Sequence, residues 1–172
     1  MRSPFTTATS QKILPRTELA RRSAEMREAG RRLVLTNGCF DLLHVGHVRY
    51  LEAARRLGDA LAVGLNDDAS VRRLKGDGRP LNSQDDRAEL LAALASVDFV
   101  TIFPQDTAVE LVDLVQPSIY VKGGDYPADP ADPGFPPEGK IVHCYGGSVK
   151  ILPYVPGHST SELIQKMGTR RS

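Results

Sequence analysis

Two histidines three residues apart, His44 and His47, are the side chains of this sequence best suited to chemistry on a phosphate. They follow a glycine-containing turn and lie at the predicted start of a helix, where residues three apart project to one side. The free N–H groups of a helix N-terminus favour anions. Two imidazole donors there would contact phosphate oxygens and stabilise charge on a phosphorus under attack. The pattern therefore indicates a phosphoryl-type transfer, which needs no covalent nucleophile.

Two plainer interpretations of the histidine pair compete with this one. Histidines are frequent metal ligands, but Gly46 between the two and the strand-to-helix setting fit a phosphate better, so no metal-binding residue is assigned. A single histidine would favour a packing role, whereas a pair with its glycine does not. Gly38 and Gly46 let a ligand approach the backbone closely, which favours a binding loop.

Three further cations lie downstream of the histidines. Lys75 and Arg79 belong to a glycine-rich segment that the sequence predicts as a loop. A flexible ammonium at Lys75 would follow phosphate charge through a reaction, and a solvated surface lysine is the alternative. Arg87 lies in the first turns of a predicted helix, where a cation opposes the helix dipole. We therefore expect Arg87 to contact an anion, either a ligand or, as the structural alternative, Asp85 or Asp86.

Two later stretches also combine small or flexible residues with polar groups. The first, at the carboxyl end of a predicted strand, comprises Lys122, Gly123, Asp125 and Tyr126. Asp125 would hold a sugar hydroxyl or the nucleotide, unless the stretch is only a tight turn. Ser159 and Thr160 open the last predicted helix, where hydroxyls and N–H groups bind phosphate or simply cap the helix.

Short apolar runs alternate with helical patterns along the chain. The runs predict strands at 33–35, 60–65, 99–103, 119–121 and 149–152. Helical spacing and capping residues predict helices at 17–29, 46–57, 82–97 (with Leu90 on the buried face), 107–115 and 159–167, and a short helical turn ending at 71. Apolar strands alternating with helices indicate an α/β fold, namely a Rossmann-like doubly wound parallel sheet of about five strands with helices on both faces. Ligands of such sheets bind beyond the carboxyl ends of the strands.

The composition fits one domain and narrows the class of partner. The chain has 172 residues, with a flexible polar tail predicted over 1–10 and a single domain over 11–172. The 22 Lys and Arg nearly balance the 21 Asp and Glu, and this net charge of +1 argues against a dedicated nucleic-acid-binding protein. Two cysteines, no signal-peptide core and no apolar run of membrane-spanning length predict a cytoplasmic protein with no membrane partner.

The stretch from Gly38 to His47 resembles the HxGH signature of the nucleotidyltransferase superfamily. Further motifs over residues 12–167 resemble, in the same order, the D-glycero-D-manno-heptose 1-phosphate adenylyltransferase (ADP-heptose synthase) family. These motifs are Gly58-Asp59, Val63 to Ser70, Lys75 to Pro80, Asp86-Arg87-Ala88, Val97-Asp98, Val121 to Tyr126, Gly146-Gly147 and Ser159-Thr160. Their order along the chain is far more specific than HxGH alone.

The resemblance implies transfer of AMP from ATP to a heptose 1-phosphate, by in-line attack on the α-phosphorus with release of pyrophosphate. It also implies Mg²⁺ bridging the phosphates and a homodimer. The residues that it places in catalysis are His44, His47, Lys75 and Arg87. Those that it places on the nucleotide are Thr36, Asn37, Gly38, Phe40, Gly46, Lys122, Gly123, Asp125, Ser159 and Thr160. Those that it places on the sugar phosphate are Asp41, which is equally a plain turn residue, Arg79 and Tyr126.

Departures from the family pattern leave open which phosphorylated compound accepts the nucleotidyl group. The segment 127–139 is longer and richer in proline than expected, which predicts a surface loop or a substrate lid. Ala108 stands where the family pattern has proline, and Ser161 follows Thr160 where it has threonine. Within the same class, the alternative is a cytidylyl- or guanylyltransferase for another sugar or polyol phosphate, such as glycerol 3-phosphate. Outside it, the alternative is a nucleotide-binding regulatory module without turnover.

Overall fold

A five-stranded parallel sheet forms the centre of the domain. The computed structural model describes residues 8–124 and 126–153, to which all structural statements refer. The strands are β1 (Leu33–Gly38), β2 (Ala60–Asn66), β3 (Phe99–Phe103), β4 (Ile119–Gly123) and β5 (Ser148–Leu152). They lie in the order β3-β2-β1-β4-β5, and every neighbouring pair is parallel. The predicted α/β fold with about five parallel strands is confirmed.

The described residues also form six α-helices, most of which pack on the sheet. They are α1 (Arg16–Glu28), α2 (Val45–Arg55), α3 (Asp68–Lys75), α4 (Gln84–Ala92), α5 (Val109–Val115) and α6 (Pro137–Cys144), and a 3-10 helix spans Ala8–Lys12. Residues 8–10, which the sequence assigns to the flexible tail, belong to this 3-10 helix. None of the helices in the described part of the chain is long and apolar enough to cross a membrane.

The two faces of the sheet carry separate apolar cores, because successive strand side chains point to opposite faces. On one face, Val34 and Val63 pack with Leu51 of α2 and Leu91 of α4. On the other face, residues of α1, α5 and α6 cover the strands; the buried side chains there include Leu19, Leu35, Ala62, Leu111 and Val142. Burial on both faces explains why the strands appear in the sequence as continuous apolar runs.

The chain reverses its direction of winding between β1 and β4. From β1 it proceeds through β2 to β3 at one edge, and it then crosses to β4 on the other side of β1. The loops after β1 and β4 therefore leave the sheet in opposite directions and open a crevice at the carboxyl ends of these strands. Thr36 of β1 is aligned with Val121 of β4 there, which places the end of each strand beside this crevice.

Two helices differ from the predictions. The predicted turn ending at Val71 continues as α3 to Lys75, because Asp67 caps its start at Ser70 N and good helix formers follow. Lys75 is thus the last residue of a helix, and the loop begins at Gly76, whose φ of 90° ends the helix. The sequence analysis missed α6, because the prolines suggested only a loop, whereas Pro137 occupies the first helical position, where proline is well accommodated.

Smaller differences concern helix ends and one buried face. Helix α1 begins after Pro15 rather than at the predicted cap Thr17. Ser83 is the cap of α4 as predicted, since its hydroxyl accepts from Asp86 N. Leu90 of α4 is 49% exposed rather than buried. The buried face of α4 instead consists of Arg87, Ala88, Leu91 and Ala92.

Candidate functional site

The candidate site lies at the carboxyl edge of β1, β2 and β4. The end of β1 carries Thr36, Asn37 and Gly38, and the end of β4 carries Lys122 and Gly123. Between them, His44 is the N-cap of α2, with Gly46 buried in its first turn. The fold thus gathers most of the residues that the sequence singles out, because strand ends and helix starts meet at this edge of a parallel sheet.

The two histidines form a compact pair at the start of α2. Their rings stack at 3.8 Å between centroids with an interplanar angle of 26°. The ring of Phe40 lies 5.2 Å from that of His47, and a Cβ at Gly38 would lie only 3.0 Å from the Phe40 ring. Phe40 itself has a φ of 44°, a left-handed backbone conformation that a bulky residue rarely adopts. This turn therefore holds the histidine pair against a buried aromatic ring.

His47 is a neutral hydrogen-bond donor in the free protein. Burial, and then the neighbouring charge of His44, lowers the pKa of His47 from 6.5 to about 4. The backbone N–H of His44 donates a long hydrogen bond of 3.4 Å to His47 Nδ1. The neutral ring therefore carries its proton on Nε2. An Nε2–H group beside a helix N-terminus suits an anionic oxygen.

Asp41 joins the loop after β1 to the segment before α4. Its carboxylate accepts from Arg79 Nη1 at 2.6 Å, Leu81 N at 2.7 Å and Asn82 N at 3.2 Å. Its backbone oxygen accepts from Asn82 Nδ2 at 2.9 Å. Asp41 is 7% exposed, so its carboxylate is engaged in holding two loops and in orienting Arg79. These contacts support the alternative that Asp41 is a turn-holding residue.

Arg87 is a buried clamp at the centre of the same edge. Its guanidinium donates to Cys39 O at 2.6 Å, Asn66 O at 2.9 Å and Asn82 O at 3.1 Å. It also forms an ion pair with Asp68 at 2.7 Å. The anionic partner is thus Asp68 at the start of α3 rather than Asp85 or Asp86, because Arg87 faces the sheet and those two residues do not share its face. The clamp joins the ends of β1 and β2 to α3 and α4.

Lys75 is exposed at the end of α3. Its electrostatic effect still reaches the loop after β1, because burial raises the pKa of the Cys39 thiol and the charges of Lys75, Arg87 and Lys122 oppose that rise. The loop that carries Cys39 therefore lies in the field of three positive charges, which the Asp41 carboxylate opposes. Such a field would attract a polyphosphate to the edge of the sheet.

Two tyrosines and a glutamate at this edge were missed by the sequence analysis. The Tyr50 hydroxyl is hydrogen-bonded to Thr36 Oγ1 at 2.7 Å and donates to Val121 O at 3.3 Å. The Thr36 hydroxyl, which is fully buried, therefore joins β1 to α2. Tyr120 and Glu138 contact Asn37 and Lys122. No motif in the sequence marks these residues, since they meet only after the sheet has formed.

The other predicted site residues are either exposed or outside the described part of the chain. Tyr126 is 40% exposed, and its ring lies 5.7 Å from Lys122 Nζ. Asp125, Ser159 and Thr160 lie outside the described residues, as does the predicted last helix. Within residues 8–124 and 126–153, no three His, Cys, Asp or Glu side chains are grouped so as to hold a metal ion. The catalytic, nucleotide-binding and substrate-binding roles assigned from the sequence stay predictions.

A histidine pair of the HxGH type, at the start of a helix and at the switch point of a parallel sheet, is typical of nucleotidyltransferases. Residues 35–166 match the cytidylyltransferase-like family model, and the chain belongs to this family.

Similar proteins and a similar solved structure are consistent with this family membership. The bifunctional protein HldE of Trichlorobacter lovleyi is 51% identical over 160 residues, which are 91% of this chain and 31% of that protein. Bifunctional protein HldE of Geobacter sulfurreducens is 50% identical over 138 residues, 80% of this chain and 27% of that protein. The chain therefore spans about 30% of the length of these relatives. The lipopolysaccharide core biosynthesis protein of Thermoplasma volcanium has a TM-score of 0.59 at 28% identity, covering 73% of this chain and 98% of that one.

The first prediction concerns the clamp. Arg87→Lys removes the planar fork that reaches three carbonyls and a carboxylate, so we expect the free energy of unfolding to fall by about 3 kcal/mol. Urea denaturation measures this change. The matched control is Arg73→Lys, because Arg73 pairs with Asp106 at the surface, and such exposed pairs contribute at most about 1 kcal/mol. Equal losses in the two variants would show that Arg87 is no clamp.

The second prediction concerns His47. Histidine NMR signals should give a midpoint near pH 4 for His47 in the folded protein. Because the folded pKa lies below the unfolded value of 6.5, the unfolded chain binds more protons between these values. The protein should therefore lose stability as the pH falls from about 6.5 towards 4, and His47→Gln should remove part of this loss. A midpoint near 6.5 would contradict the burial argument.

Proposed function

We propose that this domain transfers AMP from ATP to a heptose 1-phosphate. A phosphate oxygen of the sugar attacks the α-phosphorus in line, the bond from that phosphorus to the bridging oxygen breaks, and pyrophosphate leaves with the bonding electrons. The observation that carries the proposal is the stacked histidine pair at the N-terminus of α2, beside the crevice between β1 and β4.

The histidines are suited to stabilising the charge that develops on the α-phosphate. His47 is neutral with its proton on Nε2, so it donates a hydrogen bond without first gaining a second proton. Its low pKa follows from burial, and an anionic phosphate beside it would favour the protonated form. The donor would therefore gain positive character when the polyphosphate is bound. A preorganised donor of this kind lowers the barrier without a covalent intermediate.

The remaining groups position the reactants. Lys75, at the end of α3, and Lys122, at the end of β4, both raise the positive potential at the loop that carries Cys39. Arg87 and Asp41 hold the loops on which these groups depend. We assign Arg87 and Asp41 to positioning, with Arg79 oriented towards the site by Asp41.

Mg²⁺ would enter with the triphosphate. The three acceptor contacts of the Asp41 carboxylate are to Arg79, Leu81 and Asn82, and the described residues offer no cluster of three metal-binding side chains. Mg²⁺ commonly relies on phosphate oxygens and waters, with few protein ligands. The donor set thus fits an ion held mainly by the substrate, which supplies charge neutralisation on the phosphates. Homodimer formation and a cytoplasmic location stay predictions.

The relatives support this substrate class. The heptose-phosphate motifs lie in family order over the same part of the chain that matches the proteins named HldE. A second candidate, cytidylyl transfer to a polyol phosphate, is favoured by the match to the cytidylyltransferase-like model. The nucleotide base and the acceptor are therefore the two variables of the decisive experiment.

Pyrophosphate release tests the proposal. The protein is incubated with Mg²⁺ and each of ATP, CTP and GTP, crossed with heptose 1-phosphate, other sugar 1-phosphates and glycerol 3-phosphate. We expect ATP with heptose 1-phosphate to give the highest kcat/KM. Preference for CTP with glycerol 3-phosphate would establish the second candidate instead, and nucleotide binding without turnover would establish a regulatory module.

The role of the histidines is tested by substitution. His47→Ala should lower kcat about a hundredfold or more, as expected for the loss of a charge-stabilising donor. The control is His143→Ala, because His143 is an exposed histidine on α6 that stacks on Phe135. The kcat of the His143→Ala variant should stay within about twofold of the wild-type value. Near-normal turnover in His47→Ala, with a folded protein by circular dichroism, would remove His47 from the reaction.

A further inference from the structure

A row of polar side chains runs from the end of β1 to α6, and Tyr120 and Glu138 within it have no part in the proposed reaction. The Tyr120 hydroxyl lies 2.5 Å from Asn37 Oδ1. Lys122 Nζ lies 3.4 Å from the Tyr120 hydroxyl and 3.7 Å from Glu138 Oε1. We call Asn37, Tyr120, Lys122 and Glu138 the relay. Tyr120 and Glu138 carry no sequence motif, yet both are almost fully buried.

The relay has a direction, which follows from the chemistry of its members. The Lys122 ammonium can only donate, so the Tyr120 oxygen accepts from it. The Tyr120 proton is then donated to Asn37, whose carbonyl oxygen Oδ1 is the acceptor. Burial and the charge of Glu138 raise the pKa of Tyr120 well above its ordinary value, so the hydroxyl keeps its proton. The Asn37 amide is therefore held in one of its two orientations.

Glu138 supplies the charge that keeps Lys122 in the row. Its residue is 2% exposed, and Oε1 accepts from Ala108 N at 3.0 Å. Oε2 is buried and has no hydrogen-bond partner among the described residues. A carboxylate in that setting is costly unless a cation compensates it. The Lys122 ammonium, with its side chain 19% exposed, is that cation.

The orientation of Asn37 has a consequence for binding. With Oδ1 turned towards Tyr120, the Nδ2 amide group is the part of Asn37 left to donate to a ligand in the crevice after β1. Asn37 comes directly before the loop that carries the histidines. A donor there suits an acceptor atom of the nucleotide, which is the contact that the resemblance expects from Asn37.

We propose that Tyr120 is a positioning residue for nucleotide binding, that it acts by fixing the Asn37 amide, and that Glu138 supports it by holding Lys122. This inference rests on the proposed function for the identity of the ligand. It assigns a role to two buried side chains, which act through Asn37 and Lys122. It also gives α6, which begins at the end of the proline-rich segment, a direct connection to the site.

The test begins with Tyr120→Phe, which removes only the hydroxyl. We expect the Kd for ATP, measured by calorimetry, and the KM for ATP to rise roughly five- to tenfold, the worth of one hydrogen bond, with kcat within about twofold. The matched control is Tyr145→Phe, because the Tyr145 hydroxyl donates to Pro117 O at the opposite edge of the sheet. It should leave both constants unchanged. Equal effects of the two variants would overturn the proposal.

A double-mutant cycle separates positioning from general loosening. If Tyr120 acts through Asn37, adding Tyr120→Phe to Asn37→Ala should raise the Kd less than twofold further, whereas additive losses would overturn the proposal. Glu138→Gln keeps an acceptor for Ala108 N but removes the charge, and we expect the Kd to rise severalfold. It provides the same test if Tyr120→Phe does not fold, and an unchanged Kd in this variant would refute the relay.

Failure of the relay and failure of the proposed function give different results. If wild type binds ATP but turns over no heptose 1-phosphate, the proposed function fails while the Kd values still decide the relay. If wild type turns over and Tyr120→Phe has the wild-type Kd, the relay fails while the proposed function stands. If wild type binds no nucleotide, both are refuted.

Discussion

The site depends on one buried guanidinium. Arg87 is 1% exposed and joins the loop after β1, the end of β2, the first turn of α3 and the residue before the cap of α4. A buried cation is stable only when its donors are satisfied, so these four segments must keep their places. Because α4 turns Arg87 towards the sheet, Leu90 on the same helix faces solvent.

Asp41 and Arg87 together hold the loop after β1 against the segment before α4. Asp41 lies on this loop and accepts from Leu81 N, Asn82 N and Arg79. Since Arg87 also binds Asn82 O, the segment before α4 is held at both its N–H and its carbonyl groups. The turn that contains Phe40, in its left-handed conformation, is thereby enclosed. Strain of this kind persists only where surrounding contacts determine the conformation.

The electrostatic potential at this edge of the sheet depends more on which groups are buried than on the net charge of the chain. The formal net charge is +1, yet Lys75, Arg87 and Lys122 all act on the Cys39 thiol. Burial keeps His47 neutral, so in the free site this side chain is a neutral hydrogen-bond donor and adds no positive charge. On the β4 side, the buried carboxylate of Glu138 compensates Lys122. The site is therefore attractive to phosphate without a large uncompensated charge.

The sequence alone determined the fold class, the order of most elements and the histidine pair, because apolar runs, caps and HxGH are local patterns. It did not determine α6, where prolines obscured the helix, or the end of α3. Only the tertiary structure decided that Asp68 pairs with Arg87, that burial makes His47 neutral, and that Tyr120 and Glu138 reach Asn37 and Lys122. Such facts join residues tens of positions apart, and no spacing rule encodes desolvation or the partner that a buried polar group finds when the sheet closes.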